Sequence, residues 1–433
     1  MEYSNKIKNL ITIPVSGGND DTFIGLKIVG NQIKLFYPEC YRLEQESLDF
    51  RDDIIDLLRT ISIAKTPSSE KMQANNTFSD EGEFALMSYL WIIKDYLSNG
   101  FYLNREKIFK TNQKGRVNWK KTLQSQTIVS NGNIIYPNLT VEVRNNTDNI
   151  LVEIHKHCIK ISIDYIGWLF NLNSTFIQTK PYTKELKKLY ISTLRGELDR
   201  TFDDDKRVRL NHLLKVIIGL DQFEENKEFV YGVNNYYFVF ERMIDNIFGN
   251  VNDLRDFYPK ANWYLKKNLY NGSPTADLRP DTLIIDEEKK TTFILDSKFY
   301  RFGYTGSELD LPETSSIQKQ ITYGEYVKNN AVKFPIEHVY NAFLMPYDKE
   351  REVFKSTDNI QYVGYAKSEW KANDQSHEFI HAFLIDLKHV VKTWNRLNHD
   401  EDVKVLIEGI EKHDKEIRRK GFFFFFFDEK NNL

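Results

Sequence analysis

The sequence has few of the features that would place a protein outside the cytoplasm. Only two cysteines, Cys40 and Cys158, occur in 433 residues, and this excludes a disulfide framework and a thiolate metal site. The opening MEYSNKIKNLITIPV lacks the basic head and long apolar run of a secretion signal, and no stretch approaches the length of a membrane span. We therefore expect a reducing, cytoplasmic location and no membrane partner.

The chain also lacks an excess of one charge, an internal repeat and a nucleotide-binding loop. Its 59 basic and 62 acidic residues give a formal net charge of -3, so any nucleic-acid surface must be a local basic patch. The pattern G-x-x-x-x-G-K-[ST] is missing, which excludes a P-loop nucleotide hydrolase.

The length and composition that are present predict a folded protein of two or three domains. Hydrophobic residues make up 41% and aromatic residues 14% of the chain. Residues 66–84, rich in Ser, Asn and charge, have the composition of a linker. We predict a strand-rich unit over 1–65, a mixed α/β region for target recognition or partner docking over 84–225, and a third domain over 228–433.

Periodicity orders the elements of the third domain. NNYYFVFERMIDNIFGN predicts a helix that buries Tyr237 and stops at Gly249, and LRPDTLIID and TTFILDSKF predict two strands around the turn EEKK. A helix opened by Thr314 or Ser315 follows, and then the strands HVYNAFLMPY and IQYVGYAK. The order predicts an α/β (α+β) class with a mixed central sheet flanked by helices.

Two further segments are less regular. The charged RGELDRTFDDDKRVRLNHLLK predicts one solvated helix, although Lys206, Arg207 and Arg209 could instead face a phosphate backbone. The phenylalanine run near the C-terminus fits either a buried strand or an altered tail.

Charged residues in the predicted hairpin point to chemistry. Side chains two apart in a strand share a face, so Asp296 and Lys298 point the same way. A turn between Glu288 and Lys289 would set Asp281 opposite Asp296. Two such carboxylates need a shared proton or a hard divalent cation, naturally Mg²⁺. The lysine could orient an attacking water or stabilise developing charge, which suits phosphodiester hydrolysis. The alternative is a surface hairpin with an ordinary ion pair.

Two other groups of residues have site-like composition. HEFIH, at His377 to His381, spells the zinc-protease pattern, but its apolar context favours a strand ending at a helix cap, Asp386. In GRVNWKKT, Arg116, Trp119, Lys120 and Lys121 combine charge with a stacking surface. This suits phosphate contact or partner docking. An exposed loop around a buried tryptophan is the alternative.

RPD and DSK resemble the PD-(D/E)XK nuclease signature, with Asp281, Asp296 and Lys298 at its three positions. The resemblance implies that Asp281 and Asp296 ligate the metal and that Glu241, in FERM, supports it. It also implies a catalytic role for Gln320, with Tyr323 matching on the same helix.

A wider set of segments resembles the LlaJI family of restriction endonucleases: GRVNWKKT, IHKHC, FERM, LPETSSIQKQITYGEY and YNAFLMPYD. That resemblance implies Mg²⁺-dependent cleavage of double-stranded DNA by a type II-like, McrC-related subunit. It further implies an McrB-like AAA+ GTPase partner and a DNA methyltransferase in the same restriction-modification system. A non-catalytic DNA-binding or assembly subunit, and a repair or RNA-directed nuclease of the same fold, remain open as alternatives.

Overall fold

A computed structural model of the 433-residue chain describes residues 10–16, 23–29, 32–44, 48–62, 86–102, 105–112, 114, 116–130, 133–146, 150–219, 228–251, 253–260, 278–330, 335–372 and 375–428. The strands are β1 Leu10–Val15, β2 Ile24–Val29, β3 Gln32–Pro38, β4 Arg105–Thr111, β5 Arg116–Val117, β6 Ile128–Ser130, β7 Asn133–Ile135, β8 Thr140–Asn146, β9 Glu228–Val233, β10 Thr282–Asp286, β11 Thr291–Ser297, β12 His338–Tyr347, β13 Ile360–Lys367 and β14 Phe379–Asp386. The α-helices are α1 Phe50–Thr60, α2 Leu86–Asn99, α3 Trp119–Thr122, α4 Ile150–Ile166, α5 Lys184–Arg200, α6 Asp204–Ile218, α7 Tyr236–Phe248, α8 Phe302–Thr305, α9 Thr314–Asn330, α10 Leu387–Thr393 and α11 Asp400–Asp428.

The chain divides into two compact units. The central unit comprises residues 1–9, 28–31 and 79–231, and the sheet unit comprises residues 10–27, 32–78 and 232–433. The three-part division expected from composition stays a prediction, and its proposed linker, residues 66–84, lies outside the described residues.

A five-stranded sheet in the order β10-β11-β12-β14-β13 forms the core of the sheet unit. Strands β11, β12 and β14 run parallel, while β10 and β13 are antiparallel edge strands. Every residue of β11 is buried, as expected for a parallel strand covered on both faces. Helix α7 packs on β10 and β11, and α9 packs on β11, β12 and β14. This confirms the predicted α/β (α+β) class with a mixed sheet flanked by helices.

The N-terminal segment of the sheet unit is fastened to this core by ion pairs. Asp53 on α1 is fully buried and contacts Lys388 at 2.5 Å and Lys392 at 2.8 Å, both at α10. Arg42 donates to Asp348 at 2.9 Å. A second sheet has the order β1-β3-β2-β9, with β1 and β3 parallel.

In the central unit, α2, α4, α5 and α6 pack against one another, and β4-β8-β5 and the hairpin β6-β7 form two small sheets. The single charged helix predicted across 195–215 is wrong. Two helices meet there, because the Asp203 side chain accepts from the backbone nitrogen of Lys206 and starts α6. Two guanidinium nitrogens of Arg209 donate to the two carboxylate oxygens of Asp95, each at 2.9 Å. Arg209 therefore forms an ion pair within the central unit.

Three local predictions need correction. Tyr237 is 39% exposed, and the buried position at the start of α7 is Tyr236. Helix α9 already includes Thr314, so neither Thr314 nor Ser315 caps it, and the Glu313 carbonyl accepts from Ile317 instead. The phenylalanine run lies in helix α11 rather than a strand.

Candidate active site

The hairpin of β10 and β11 places two aspartates side by side. Its paired residues run from Thr282 opposite Leu295 to Asp286 opposite Thr291. One step further along this register sets Asp281 opposite Asp296, as the predicted turn requires. Oδ2 of Asp281 accepts from the backbone nitrogen of Ser297 at 3.1 Å, so the loop carboxylate is held against the end of β11.

The lysine lies beside the second aspartate. Lys298 Nζ is 2.6 Å from Asp296 Oδ2. Its backbone nitrogen donates to the Leu344 carbonyl of β12 at 2.9 Å, which continues the parallel pairing past the last residue of β11. The group therefore lies at the carboxyl end of parallel strands, where sheets of this kind bind ligands. The structure brings Asp281, Asp296 and Lys298 together.

Burial of Asp296 and the nearby charge of Asp281 together favour positive charge at this pair. Burial raises the pKa of Asp296, and the neighbouring negative charge of Asp281 raises it further, although the Lys298 ammonium opposes both. Burial disfavours the Lys298 ammonium, but the charge of Asp296 outweighs this and raises the pKa of Lys298. A buried carboxylate next to a second one is well suited to a divalent cation.

This electrostatic arrangement predicts a distinctive pH dependence of stability. The folded protein holds a proton on Asp296 at pH values where the unfolded chain, with its ordinary carboxyl pKa of 3.8, has released it. Folding then takes up a proton. Metal-free wild type therefore loses stability as the pH rises from 3.8 through the raised pKa of Asp296 in the folded protein. Asp296→Asn has no such proton.

We expect the melting temperature of wild type to rise by about 2–4 °C relative to that of Asp296→Asn as the pH falls through this window. Thermal unfolding at a series of pH values, with a chelator present, measures it. Added Mg²⁺ should flatten the dependence, because the cation replaces the proton. A difference that is constant with pH would contradict the shared-charge arrangement.

Glu241 lies on α7, next to the hairpin. It lines a cavity of about 320 Å³ together with Ser297, Lys298, Phe299 and Tyr300. The helix that carries it packs on β10 and β11. The structure therefore brings Glu241 to the same cavity as Lys298.

Asp245, one helical turn after Glu241, was not predicted as a site residue from the sequence. Thr282 Oγ1 donates to Asp245 Oδ1 at 3.2 Å. Burial raises the pKa of Asp245, and the charge of Asp281 adds to the shift. The i, i+4 spacing from Glu241 was the signal that could have identified it.

Gln320 and Tyr323 hold the backbone around the aspartates. Gln320 is fully buried, and its Nε2 donates to the Ile294 carbonyl at 2.9 Å, two residues before Asp296. Tyr323 Oη donates to the Arg279 carbonyl at 3.1 Å, two residues before Asp281. Burial raises the pKa of Tyr323, and the charges of Asp296 and Asp281 contribute. Each side chain is placed to position one carboxylate.

The basic segment GRVNWKKT, around α3, does not enclose a buried tryptophan. Trp119 is 59% exposed, so the buried tryptophan is wrong. Asn118 caps α3 by accepting from Lys121, and Lys121 Nζ lies 3.4 Å from the centre of the Phe109 ring. Arg116 and Lys120 are exposed.

The HEFIH segment does not form a protease helix. His377 and Glu378 lie in the short 3₁₀ helix Ser376–Glu378, and His381 lies in β14. Asp386 accepts from His389 and caps α10. Both the strand and the cap are as predicted. His155 accepts from the Tyr102 backbone nitrogen at 2.9 Å, which is a packing role.

The fold and the carboxylate-lysine group together define a candidate nuclease site in a mixed sheet. The chain belongs to the LlaJI restriction endonuclease family, whose model matches residues 23–367. It is also similar to the "Type II restriction enzyme BsuMI component YdjA" of Bacillus subtilis (strain 168), with 23% identity over 278 residues. That match covers 61% of this chain, and the chain spans 58% of the length of the curated relative.

Two solved structures from Thermococcus gammatolerans are distant neighbours. One is a half-complex from a tetradecameric assembly of McrB AAA+ hexamers with bound McrC, at 13% identity, a TM-score of 0.37, and coverage of 86% of this chain and 81% of that one. The other is the McrBC complex, at 14% identity, a TM-score of 0.23, and coverage of 52% and 64%. No helix in the described part of the chain is long and apolar enough to cross a membrane.

Proposed function

We propose that this protein is the nuclease subunit of a restriction system and hydrolyses phosphodiester bonds of double-stranded DNA in a Mg²⁺-dependent reaction. The observation that carries the proposal is the convergence of Asp281 and Asp296 beside Lys298 at the end of β11. Because the chain belongs to a restriction endonuclease family, DNA is the expected substrate class of this site. The arrangement supports the PD-(D/E)XK signature that RPD and DSK resemble.

The residues present fit a hard divalent cation. Asp296 is only 8% exposed and its carboxyl is under the negative charge of Asp281, so the pair gains from a compact cation with oxygen ligands. Asp281 and Asp296 would hold it, with Glu241 or Asp245 supporting from α7. When bound, Mg²⁺ would stabilise the negative charge that develops on the phosphate.

The other side chains have roles of their own. The Lys298 ammonium would orient an attacking water or lower the cost of charge on the phosphate oxygens. Gln320 and Tyr323 would fix the strand and loop that present the two carboxylates, since geometry at such a site must be held closely.

A motor subunit would act with this chain. The relative from B. subtilis is described as a component, and this sequence has no P-loop of its own. We propose an McrB-like AAA+ GTPase as the partner and a DNA methyltransferase that protects the host. A cytoplasmic location accords with DNA as the target.

The test is plasmid cleavage with Mg²⁺, with and without GTP and the neighbouring AAA+ subunit, comparing wild type with Asp296→Ala. We expect cleavage by wild type alone or with its partner, and none by the variant. Equal cleavage by both proteins would overturn the active-site assignment. DNA binding without cleavage under every condition would favour a non-catalytic assembly subunit.

The exposed segment around α3 is the proposed docking or DNA-binding surface, formed by Arg116, Trp119, Lys120 and Lys121. Trp119 is exposed, and so are other apolar side chains of the same unit, Leu123 one helical turn later and Val129 on the β6-β7 hairpin. Exposed apolar residues grouped with basic ones are typical of a recognition surface.

Trp119→Ala should weaken binding of the AAA+ partner by about 30-fold, because a central tryptophan contributes about 2 kcal/mol or more to such interfaces. Titration of labelled partner by fluorescence anisotropy measures this. Trp370→Ala is the matched control, since Trp370 is 55% exposed but belongs to the sheet unit. If the two variants bind the partner with equal affinity, Trp119 is not part of the docking surface. If Trp119→Ala instead loses DNA binding, the segment is a DNA-binding surface.

A further inference from the structure

Three potential metal ligands meet where helix α9 contacts the short 3₁₀ helix Ser376–Glu378. Glu325 on α9 and His377 and Glu378 on the 3₁₀ helix each offer one ligand atom, and these atoms all lie within 4.8 Å of one another. His377 and Glu378 are each only 6% exposed. Neither the family resemblance nor the proposed nuclease reaction uses them.

The backbone is arranged to bring these residues close. A Cβ at Gly324 would lie 2.5 Å from the His377 Cβ, so only glycine permits this approach of α9 to the 3₁₀ helix. Asn341 is fully buried, and its Nδ2 donates to the carbonyls of Gln320 at 2.9 Å and His377 at 2.6 Å. One strand side chain therefore clamps both elements.

Other contacts orient the ligand side chains but do not occupy all of their ligand atoms. Glu378 Oε2 accepts from the Gln375 backbone nitrogen at 3.1 Å, which fixes the carboxylate and leaves its second oxygen for another partner. The backbone carbonyl of His377 accepts from Asn341, which holds this residue beside the two carboxylates. Glu325 is paired with the Lys371 ammonium, so a positive charge already occupies this position.

The donor set selects among cations. One imidazole nitrogen and two carboxylate oxygens suit Zn²⁺, which takes mixed nitrogen and oxygen ligands, better than Mg²⁺, which prefers oxygen alone. Ligand atoms around tetrahedral Zn²⁺ are about 3.4 Å apart, so side-chain rotation of about an ångström would close the site. Such a shift is available to Glu325, which is only half-buried.

We propose that Glu325, His377 and Glu378 form a second metal site, which binds Zn²⁺ and fastens α9 to the start of β14. Lys371 neutralises Glu325 when the metal is absent and moves into solvent when it binds. With three protein ligands the site leaves a fourth position to water, and it is separate from the Asp281 and Asp296 pair. It supports that pair indirectly, because α9 also carries Gln320, which holds the strand of Asp296.

The experiment uses full-length, tag-free protein, stripped with a chelator and dialysed against Zn²⁺ in excess Mg²⁺. Metal content is then measured by mass spectrometry, and thermal unfolding is followed with and without Zn²⁺. Wild type and Asp296→Asn should each bind one Zn²⁺ and gain thermal stability. Glu325→Gln should lose at least about 10- to 100-fold in affinity, since even weaker perturbations of metal sites cost that much.

Lys371→Gln keeps the test decisive if Glu325→Gln folds poorly. Removing the competing ammonium should tighten Zn²⁺ binding, whereas a purely structural ion pair would give a less stable protein with no change in metal affinity. The proposal is overturned if wild type binds no Zn²⁺ under these conditions. It is equally overturned if Asp296→Asn, rather than Glu325→Gln, abolishes binding, because the metal would then belong to the nuclease site.

Discussion

Asp296→Asn should reduce plasmid cleavage at saturating Mg²⁺ by at least about 10³-fold, because it removes a carboxylate that would hold the cation while keeping the side chain's shape. Initial rates of supercoiled-plasmid loss, measured with the AAA+ partner and GTP present, report the effect. The variant should still bind DNA, since the substitution changes the charge of a single buried side chain.

Asp286→Asn is the matched control for this variant. Asp286 lies at the far end of the same hairpin, where its Oδ1 accepts from the Lys289 backbone nitrogen at 2.9 Å, and an asparagine oxygen can still accept there. The control should cleave within about twofold of wild type. If Asp296→Asn retains more than a tenth of wild-type activity while folded, Asp296 does not hold the catalytic cation.

Lys298→Met should lower the cleavage rate by about 10²- to 10³-fold, which is the usual cost of losing one group that stabilises charge in the transition state. Affinity for Mg²⁺ should not fall, because the substitution removes a positive charge 2.6 Å from Asp296. Single-turnover cleavage and calorimetric Mg²⁺ titration separate the two effects.

Lys290→Met provides the comparison, because Lys290 precedes the same strand and pairs at 2.6 Å with Glu337, far from the cavity. That variant should cleave normally. Lys298→Arg should recover part of the rate, since the charge is kept but not its shape. A fall in Mg²⁺ affinity equal to the fall in rate would instead mean that Lys298 only organises the metal site.

The hairpin was predictable because its register follows from local rules. The four-residue turn determines which residues of β10 and β11 face each other. The order of β12, β14 and β13 was beyond such rules, since β14 lies between two strands that both precede it in the chain. The contact between Asp53 and Lys388 spans 335 residues and leaves no local trace.

The candidate site was only partly visible in the sequence. Asp281, Asp296 and Lys298 carried a spacing pattern, whereas Asp245 acquires its place only when α7 packs on β10. Trp119 carried no local sign of exposure, because aromatic residues in short segments pack inward or outward according to their tertiary neighbours. Lys206, which the sequence alone allows at a phosphate surface, pairs with Glu197 at 3.0 Å.

The most direct test is an anomalous diffraction experiment on crystals of the full-length protein soaked in Mn²⁺, an ion that substitutes for Mg²⁺ at oxygen sites. We predict a peak bridging the carboxylates of Asp281 and Asp296 beside Lys298, and its disappearance in Asp296→Asn. Two carboxylates that face away from each other, or a peak that persists in the variant, would contradict the account.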